Sequence, residues 1–426
     1  MGIKFRLVIM NFLQYAVWGA YLTSMGSYLV GVDLASHIGI FYAMQGIVSI
    51  FMPAVVGIVA DRWVPAQRLL GACHLLAALF MGGAGYYAMA SGADVQFGTL
   101  FTLYALSVAF YMPTIALSNS VAYSVLENKG FDTVKAFPPI RVWGTVGFIC
   151  SMLVCDAAGF QTTYMQFVQC AVLGLVLGCY AMTLPECPVS RGDEKKSVVE
   201  ALGLRAFTLF KQKKMALFFI FSMLLGVSLQ ITNGFANPFI TSFREVPEFA
   251  STFGANHANA LISLSQVSET LCILLIPFCL KRFGIKNVML MAMFAWVLRF
   301  GLFGLGNPGP GVWMFILSMI VYGVAFDFFN ISGSLFVNNE TDVAIRSSAQ
   351  GLFMIMTNGI GATIGTLGAQ AVVDHYVYSQ HSVAAMTAGW STSWLVFAGY
   401  ALCVAVVFAL VFKYKHDPAA IGEVQH

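Results

Sequence analysis

Apolar runs separated by short polar punctuation dominate the chain. They fall at about 7–30, 36–60, 68–90, 97–123, 138–158, 164–184, 215–243, 256–280, 287–305, 311–337, 344–372 and 391–413. A helix needs roughly 20 apolar residues to cross the hydrocarbon core of a bilayer, so the pattern predicts an all-α membrane protein with twelve transmembrane helices. The fourth and eleventh runs contain Asn119, Gln350 and Asn358 and are expected to face protein or water with those side chains. The first run follows Lys4 and Arg6, outlasts a signal-peptide core and is interrupted by Asn11 and Gln14. It reads as a retained span.

The polar interval 185–214 divides the pattern into a six-helix half, 1–184, a cytoplasmic linker, and a second six-helix half with a short cytoplasmic tail, 215–426. Within the linker, Ser197 and Glu200 form a capping-box pattern, and Leu202, Ala206 and Phe210 make one helical stripe ahead of Lys211, Lys213 and Lys214. A helix lying on the membrane surface is predicted there. Each half also has a basic turn between its second and third spans, GIVADRWVPAQR (57–68) and KRFGIK (281–286). Gly57 is expected to permit close helix packing, and Asp61 and Arg62 to cap helix ends. Two halves with corresponding motifs are the pattern of a transporter built from repeats, with its binding site between them near mid-membrane.

Composition agrees with this. Of 426 residues, 59% are hydrophobic and 10% charged, against about 25% charged in a soluble domain, which excludes a soluble globular protein. The net charge of +3 is too small to imply a nucleic-acid partner. Its placement says more: with the N-terminus inside, all 22 Lys and Arg fall on the cytoplasmic face except Arg141, Arg244 and Arg299. By the positive-inside bias, both termini are expected to be cytoplasmic. Arg244 falls in an outer loop, Arg299 towards the outer end of the ninth span, and Arg141 just inside the fifth. Nine cysteines without a C-x-x-C pair argue against a disulfide framework or zinc site, and seven histidines lack metal-ligand spacing. With no nucleophile, phosphate-loop or metal pattern, the chain reads as a secondary active transporter and not an enzyme, with no cofactor and no metal.

Two acidic residues fall in mid-span, Glu269 in the eighth and Asp327 in the tenth. A carboxylate in a low-dielectric setting costs enough to need a reason, and reversible proton carriage supplies one. Polar and aromatic residues recur around them at helical spacing. Gln230, Asn233 and Asn237 share a face of the seventh span, Gln266 and Glu269 one of the eighth. Arg141, Thr145 and Phe148 share a face of the fifth, while Tyr322, Phe326 and Asp327 cluster on the tenth, with Asn330 one turn on. Gln14 and Trp18 could line the same cavity or serve packing. Carboxamides pair with both edges of an amide-like ring, aromatic rings stack, and carboxylates hold vicinal hydroxyls. The chemistry suits a small neutral or weakly polar solute with a planar ring, hydroxyls or both. An anionic substrate fits poorly, because Arg141 is the only basic residue well placed. The glycines 359, 361, 365 and 368 form small-x-x-small faces suited to packing.

These segments also carry a family resemblance. FLQYAVWGAYL (12–22), FMPAVVGIVADRW (51–63), FPPIRVWGTVGF (137–148), FFIFSMLLGVSLQITN (218–233), SLSQVSETL (263–271), RFGIKNVM (282–289) and VYGVAFDFFNISGS (321–334) resemble the nucleoside:proton symporters of the major facilitator superfamily, the group of bacterial nucleoside and xanthosine permeases. The likeness runs almost end to end and weakens in the outer loops 31–36, 91–98 and 373–390 and in the tail. Gly57, Asp61 and Arg62 match the superfamily's G-x-x-x-D-R loop, whereas the second-half copy lacks the acidic residue. The resemblance implies substrate contacts at Arg141, Thr145, Phe148, Gln230, Asn233, Gln266, Glu269, Tyr322 and Phe326. It implies proton coupling at Asp327, shared with Glu269. A nucleoside and a proton would be the partners of a monomer in the bacterial inner membrane. The choice of nucleosides rests on the resemblance; the residues alone fit equally a proton symporter for sugars or other hydroxylated solutes.

Overall fold

The computed structural model describes residues 2–188, 204–342 and 345–415, and every regular element among them is helical. The chain forms two compact units, Met1–Ala201 and Leu202–His426.

The first unit contains α1 (Ile3–Gly19), α2 (Met25–Gly31), α3 (Ile38–Arg62), α4 (Ala66–Ser91), α5 (Phe97–Asn128), α6 (Thr133–Ala157) and α7 (Met165–Ala181). The first apolar run is therefore two helices and not one. Between them the chain turns through Ala20–Ser24, where Leu22 N donates to Trp18 O at 3.0 Å and Met25 N to Tyr21 O at 2.9 Å. Glycine sets the packing of α1 on α6. A Cβ at Gly147 would overlap the carbonyl oxygen of Phe12, and one at Gly19 would stand 2.5 Å from that of Phe148. Small residues let membrane helices approach until backbone meets backbone. A Gly147→Val chain is accordingly expected to lose stability by on the order of 3 kcal/mol, read as a lower melting temperature in detergent and less protein in the membrane. Gly301→Ala, where a Cβ meets nothing within 4 Å, is the control and should be neutral or slightly stabilising. Gly57 departs from expectation, since a Cβ there also meets nothing within 4 Å among the described residues.

The second unit contains α8 (Lys213–Leu229), α9 (Ile231–Ser242), α10 (Ala258–Cys272), α11 (Ile276–Leu305), α12 (Val312–Glu340), α13 (Arg346–Met354), α14 (Ala362–Val373) and α15 (Val383–Val411). Local geometry along its apolar runs is more varied than the simple pattern. The seventh is broken at Gln230, whose φ of −93° and ψ of −9° separate α8 from α9. Between the eighth and ninth, the basic turn 281–286 is made at one residue: Gly284 alone leaves helical geometry, with φ 77° and ψ 167°. A single glycine can take that left-handed φ without Cβ strain, so one residue redirects the chain. The eleventh run is interrupted by a π-helical stretch, Ile355–Gly361, between α13 and α14. Packing glycines cluster at this bulge. A Cβ at Gly361 would overlap the Met223 carbonyl, and one at Gly365 that of Val227, both on α8. Gly368 faces open space instead.

Outward faces are apolar. Leu274 is 74% and Leu410 72% exposed, a disposition that lipid satisfies and water does not. In the linker, Leu204–Lys211 is a 3₁₀ helix. Its Ala206 is buried, and Phe210 stacks on Phe207 at 5.9 Å and leans on Phe219 at 5.4 Å. Ser197, Glu200 and Leu202 lie outside the described residues, as do the side chains of Asp61 and Arg62.

Candidate functional site

In the first unit, α6 presents Arg141, Thr145 and Phe148. The Arg141 guanidinium lies over the Tyr15 ring at 4.0 Å. Gly144 makes room for this contact: a Cβ there would stand 2.6 Å from Tyr15 Cδ2 and 2.9 Å from an Arg141 terminal nitrogen. Phe148 is buried and meets Trp18 edge-on, with centroids 6.3 Å apart at 88°. Trp18 also leans on Tyr111 at 6.1 Å, and its Nε1 donates to Gln45 Oε1 at 3.3 Å. Arg141 and Thr145 are half-buried. The α1 face that bears Trp18 is thus part of the surroundings of Phe148.

Gln14 belongs to helix packing. Its side chain is fully buried, with Nε2 donating to Thr114 Oγ1 at 2.8 Å and Oε1 lying 2.7 Å from His74 Nε2. Since the amide oxygen only accepts, His74 carries its proton on Nε2. These bonds tie α1, α4 and α5 together.

In the second unit, the helix break at Gln230 brings amides to a discontinuity, where Asn233 Nδ2 donates to Gln230 Oε1 at 2.7 Å. Asn237, expected on the same stripe, is instead fully buried and bonded through Nδ2 to Asn259 Oδ1 of α10 at 2.8 Å. Gln350, flagged as facing protein or water, faces protein, donating to the Ser334 carbonyl at 2.7 Å.

Tyr322 on α12 gathers the rest. Gln266 hydrogen-bonds its hydroxyl, and both Glu269 and Asp327 lie close enough to act on it electrostatically, as they act on each other. The rings of Tyr322 and Phe326 stack at 5.6 Å and 15°. Tyr322 and Asp327 are buried, while Gln266, Glu269 and Phe326 are half-buried. Asp327 Oδ2 has no hydrogen-bond partner among the described residues. The close crossing of α10 and α12 at Gly323, where a Cβ would stand 2.6 Å from Ser268 O, holds this set together. Two carboxyls, an amide and a two-ring stack thus lie on two adjoining helices.

One residue was missed. Arg299 on α11, placed by its position in sequence near the outer end of a span, is only 2% exposed. Its guanidinium lies 4.7 Å from the Tyr322 centroid. Arg141 is therefore not the only basic residue near the polar side chains. An unusual basic residue inside an apolar run was the available signal, but sequence position could not say which face it occupied.

Helical spans in two units, with polar and ionisable side chains gathered on adjoining helices inside apolar runs, are the arrangement of a polytopic membrane transporter. The model of the nucleoside H+ symporter family matches residues 1–417, and the chain belongs to that family. Xanthosine permease of Escherichia coli (strain K12) is 48% identical over 424 residues, covering 99% of this chain and 98% of that protein. Nucleoside permease NupG of the same strain is 47% identical over 426 residues, covering 99% of each. A crystal structure of the nucleoside transporter NupG superposes with a TM-score of 0.89 at 47% identity, across 97% of this chain and 100% of that one. The fold is that of the major facilitator superfamily. A D-xylose-proton symporter shares it at a TM-score of 0.68 with 14% identity, over 98% of this chain and 99% of that one.

Proposed function

We propose that this chain moves a nucleoside together with a proton into a bacterial cell, across the inner membrane, by alternating access and with both termini cytoplasmic. The observation that supports this most is the set around Tyr322: a stacked ring pair, the Gln266 amide, and the carboxyls of Glu269 and Asp327. A nucleobase offers flat faces for stacking and amide-like edges for a carboxamide, and a ribose offers hydroxyls that a carboxylate accepts from. Proton coupling needs a carboxyl that can change its charge away from bulk water.

On this reading Arg141, Thr145, Phe148, Gln230, Asn233, Gln266, Glu269, Tyr322 and Phe326 are substrate contacts. Asp327 carries the proton, and Glu269 takes part in the coupling through the substrate it holds beside Asp327. The proton is the coupling ion, no other cofactor takes part, and one chain suffices. A neutral nucleoside with one proton moves one charge, worth about 2.3 kcal/mol per 100 mV, or roughly 40-fold accumulation.

Purified protein in liposomes is the test. Labelled uridine should accumulate under an inside-negative potential with acid outside, and proton entry should require the nucleoside. A protonophore should reduce accumulation to equilibration. Adenosine and xanthosine should compete, and D-xylose should not. Uptake indifferent to the collapse of the gradient, or displaced by the sugar, would overturn the proposal.

A further inference from the structure

Arg299 is a charged side chain deep in an apolar unit, and among the described residues no carboxylate lies at ion-pair distance from it. Its hydrogen bonds go to weaker acceptors, all from terminal nitrogen Nη1: the Ser318 carbonyl at 2.7 Å, Ser265 Oγ at 3.4 Å and Met319 Sδ at 3.9 Å. Nε has no partner. In return, Ser318 Oγ donates to the Arg299 carbonyl at 3.0 Å, closing a reciprocal pair between α11 and α12. A buried cation held this way is costly, and an apolar side chain of similar volume would pack α11 with less penalty. What the charge does engage is aromatic. The guanidinium lies over Tyr322 at 4.7 Å and Phe303 at 5.3 Å. Trp296, one turn before Arg299, meets Tyr322 edge-on at 6.0 Å and 88°. The Tyr322 ring is thereby held by Arg299, Trp296 and the parallel ring of Phe326.

We propose that Arg299 is a positioning residue for transport: anchored to Ser318 and Ser265, its guanidinium locks the Tyr322 ring, and so fixes the Tyr322–Phe326 pair as a ready-made platform for a flat ring in the substrate. This deepens the proposed function and rests on it. Tyr322 is the buried member of the pair and Phe326 the half-buried one, so the more accessible ring is held through the less accessible one. A ring locked before the substrate arrives costs no rotamer freedom on binding, and the benefit falls on affinity. The flat cation suits this better than an ammonium, because it stacks on a ring face while its edge bonds the serine and the carbonyl.

The test compares Arg299→Met and Arg299→Lys in liposomes, each alone and in a Tyr322→Leu background, with uridine and adenosine as labelled substrates. Arg299→Met is expected to raise KM about tenfold or more while Vmax per reconstituted molecule stays within about threefold. Arg299→Lys, which keeps the charge but cannot stack on the ring and bond the serine and carbonyl with one flat edge, should recover only part of the loss, with KM between those of the unaltered chain and Arg299→Met. In the Tyr322→Leu background Arg299→Met should add at most about twofold, because no ring remains to be held. An unchanged KM in Arg299→Met would overturn the inference, as would effects of the two substitutions that multiply. Failure of both Arg299 variants to reach the membrane folded would show a structural role and overturn it too. The unaltered chain in the same vesicles separates the two claims. If it takes up no nucleoside, the proposed function falls and this inference with it; if it transports while Arg299→Met matches its KM, only the role of Arg299 falls.

Discussion

An Asp327→Asn chain is expected to bind nucleoside and exchange it across the membrane, yet to concentrate none. The amide has nearly the same size and keeps hydrogen-bonding capacity, but it carries no transferable proton. Asp327 is 6% exposed and sits on α12 beside Glu269, with Oδ2 lacking any hydrogen-bond partner among the described residues. A buried carboxylate oxygen without a donor bears a desolvation cost while charged, so gaining and losing the proton at this atom changes the local free energy far more than in water. That is the property a coupling site must have if proton occupancy is to govern which conformation is favoured. The coupled chain should accumulate substrate roughly 40-fold at 100 mV from one transported charge. The variant should stop at equal concentrations. Counterflow of labelled uridine into vesicles preloaded with unlabelled uridine measures exchange without a gradient and should survive. Accumulation undiminished in Asp327→Asn would remove Asp327 from the coupling role, and counterflow lost together with accumulation would assign it to binding.

Much of this arrangement was legible in the sequence, because lipid leaves a chain few options. Apolar runs of membrane-spanning length must be helical to satisfy their own backbone, so the helical architecture follows from hydropathy. What hydropathy could not see was local geometry. The seventh run has nothing in its composition to mark Gln230 as a break, and the i, i+3, i+7 argument that joined Asn237 to Gln230 and Asn233 assumed one unbroken helix. Asn233 and Asn237 both lie within α9, one turn apart, yet Asn233 bonds Gln230 while Asn237 turns to Asn259 of α10, a choice of partner that tertiary packing sets. The turn read at 281–286 is there, but hydropathy could not show that one glycine of positive φ makes all of it. Arg299 escaped for a third reason. Its distance from the span's end was readable, but its contact with Tyr322 depends on how α11 is rotated against α12, and that is a property of tertiary packing. Tyr322, Phe326, Gln266 and the two acids were legible as a group because they sit on two helices whose polar stripes face each other.

The same geometry separates the two acids, and a Glu269→Gln chain is expected to fail differently from Asp327→Asn. Glu269 is half-buried, one turn from Gln266 on α10, and that amide is already bonded to Tyr322. The more accessible carboxyl beside a fixed ring is the better placed to accept hydrogen bonds from ribose hydroxyls, and the more enclosed Asp327 the better placed to keep a proton from bulk water. Charge-assisted hydrogen bonds to hydroxyls are worth about 1.5–3 kcal/mol each, so exchanging the carboxylate for a neutral amide should raise KM for uridine by about ten- to a hundredfold. What uptake remains at saturating nucleoside should still run uphill, because Asp327 retains its proton site. The two substitutions should therefore split cleanly, one losing affinity and keeping accumulation, the other losing accumulation and keeping exchange. A 2′,3′-dideoxynucleoside sharpens the comparison. It lacks the hydroxyls, so it should be a poor substrate for the unaltered chain and lose little further in Glu269→Gln. Should the dideoxy compound instead lose as much as uridine on that substitution, Glu269 does not hold the sugar. Should Glu269→Gln equilibrate uridine without concentrating it, the proton is carried by the pair of carboxyls together, and the division between them fails.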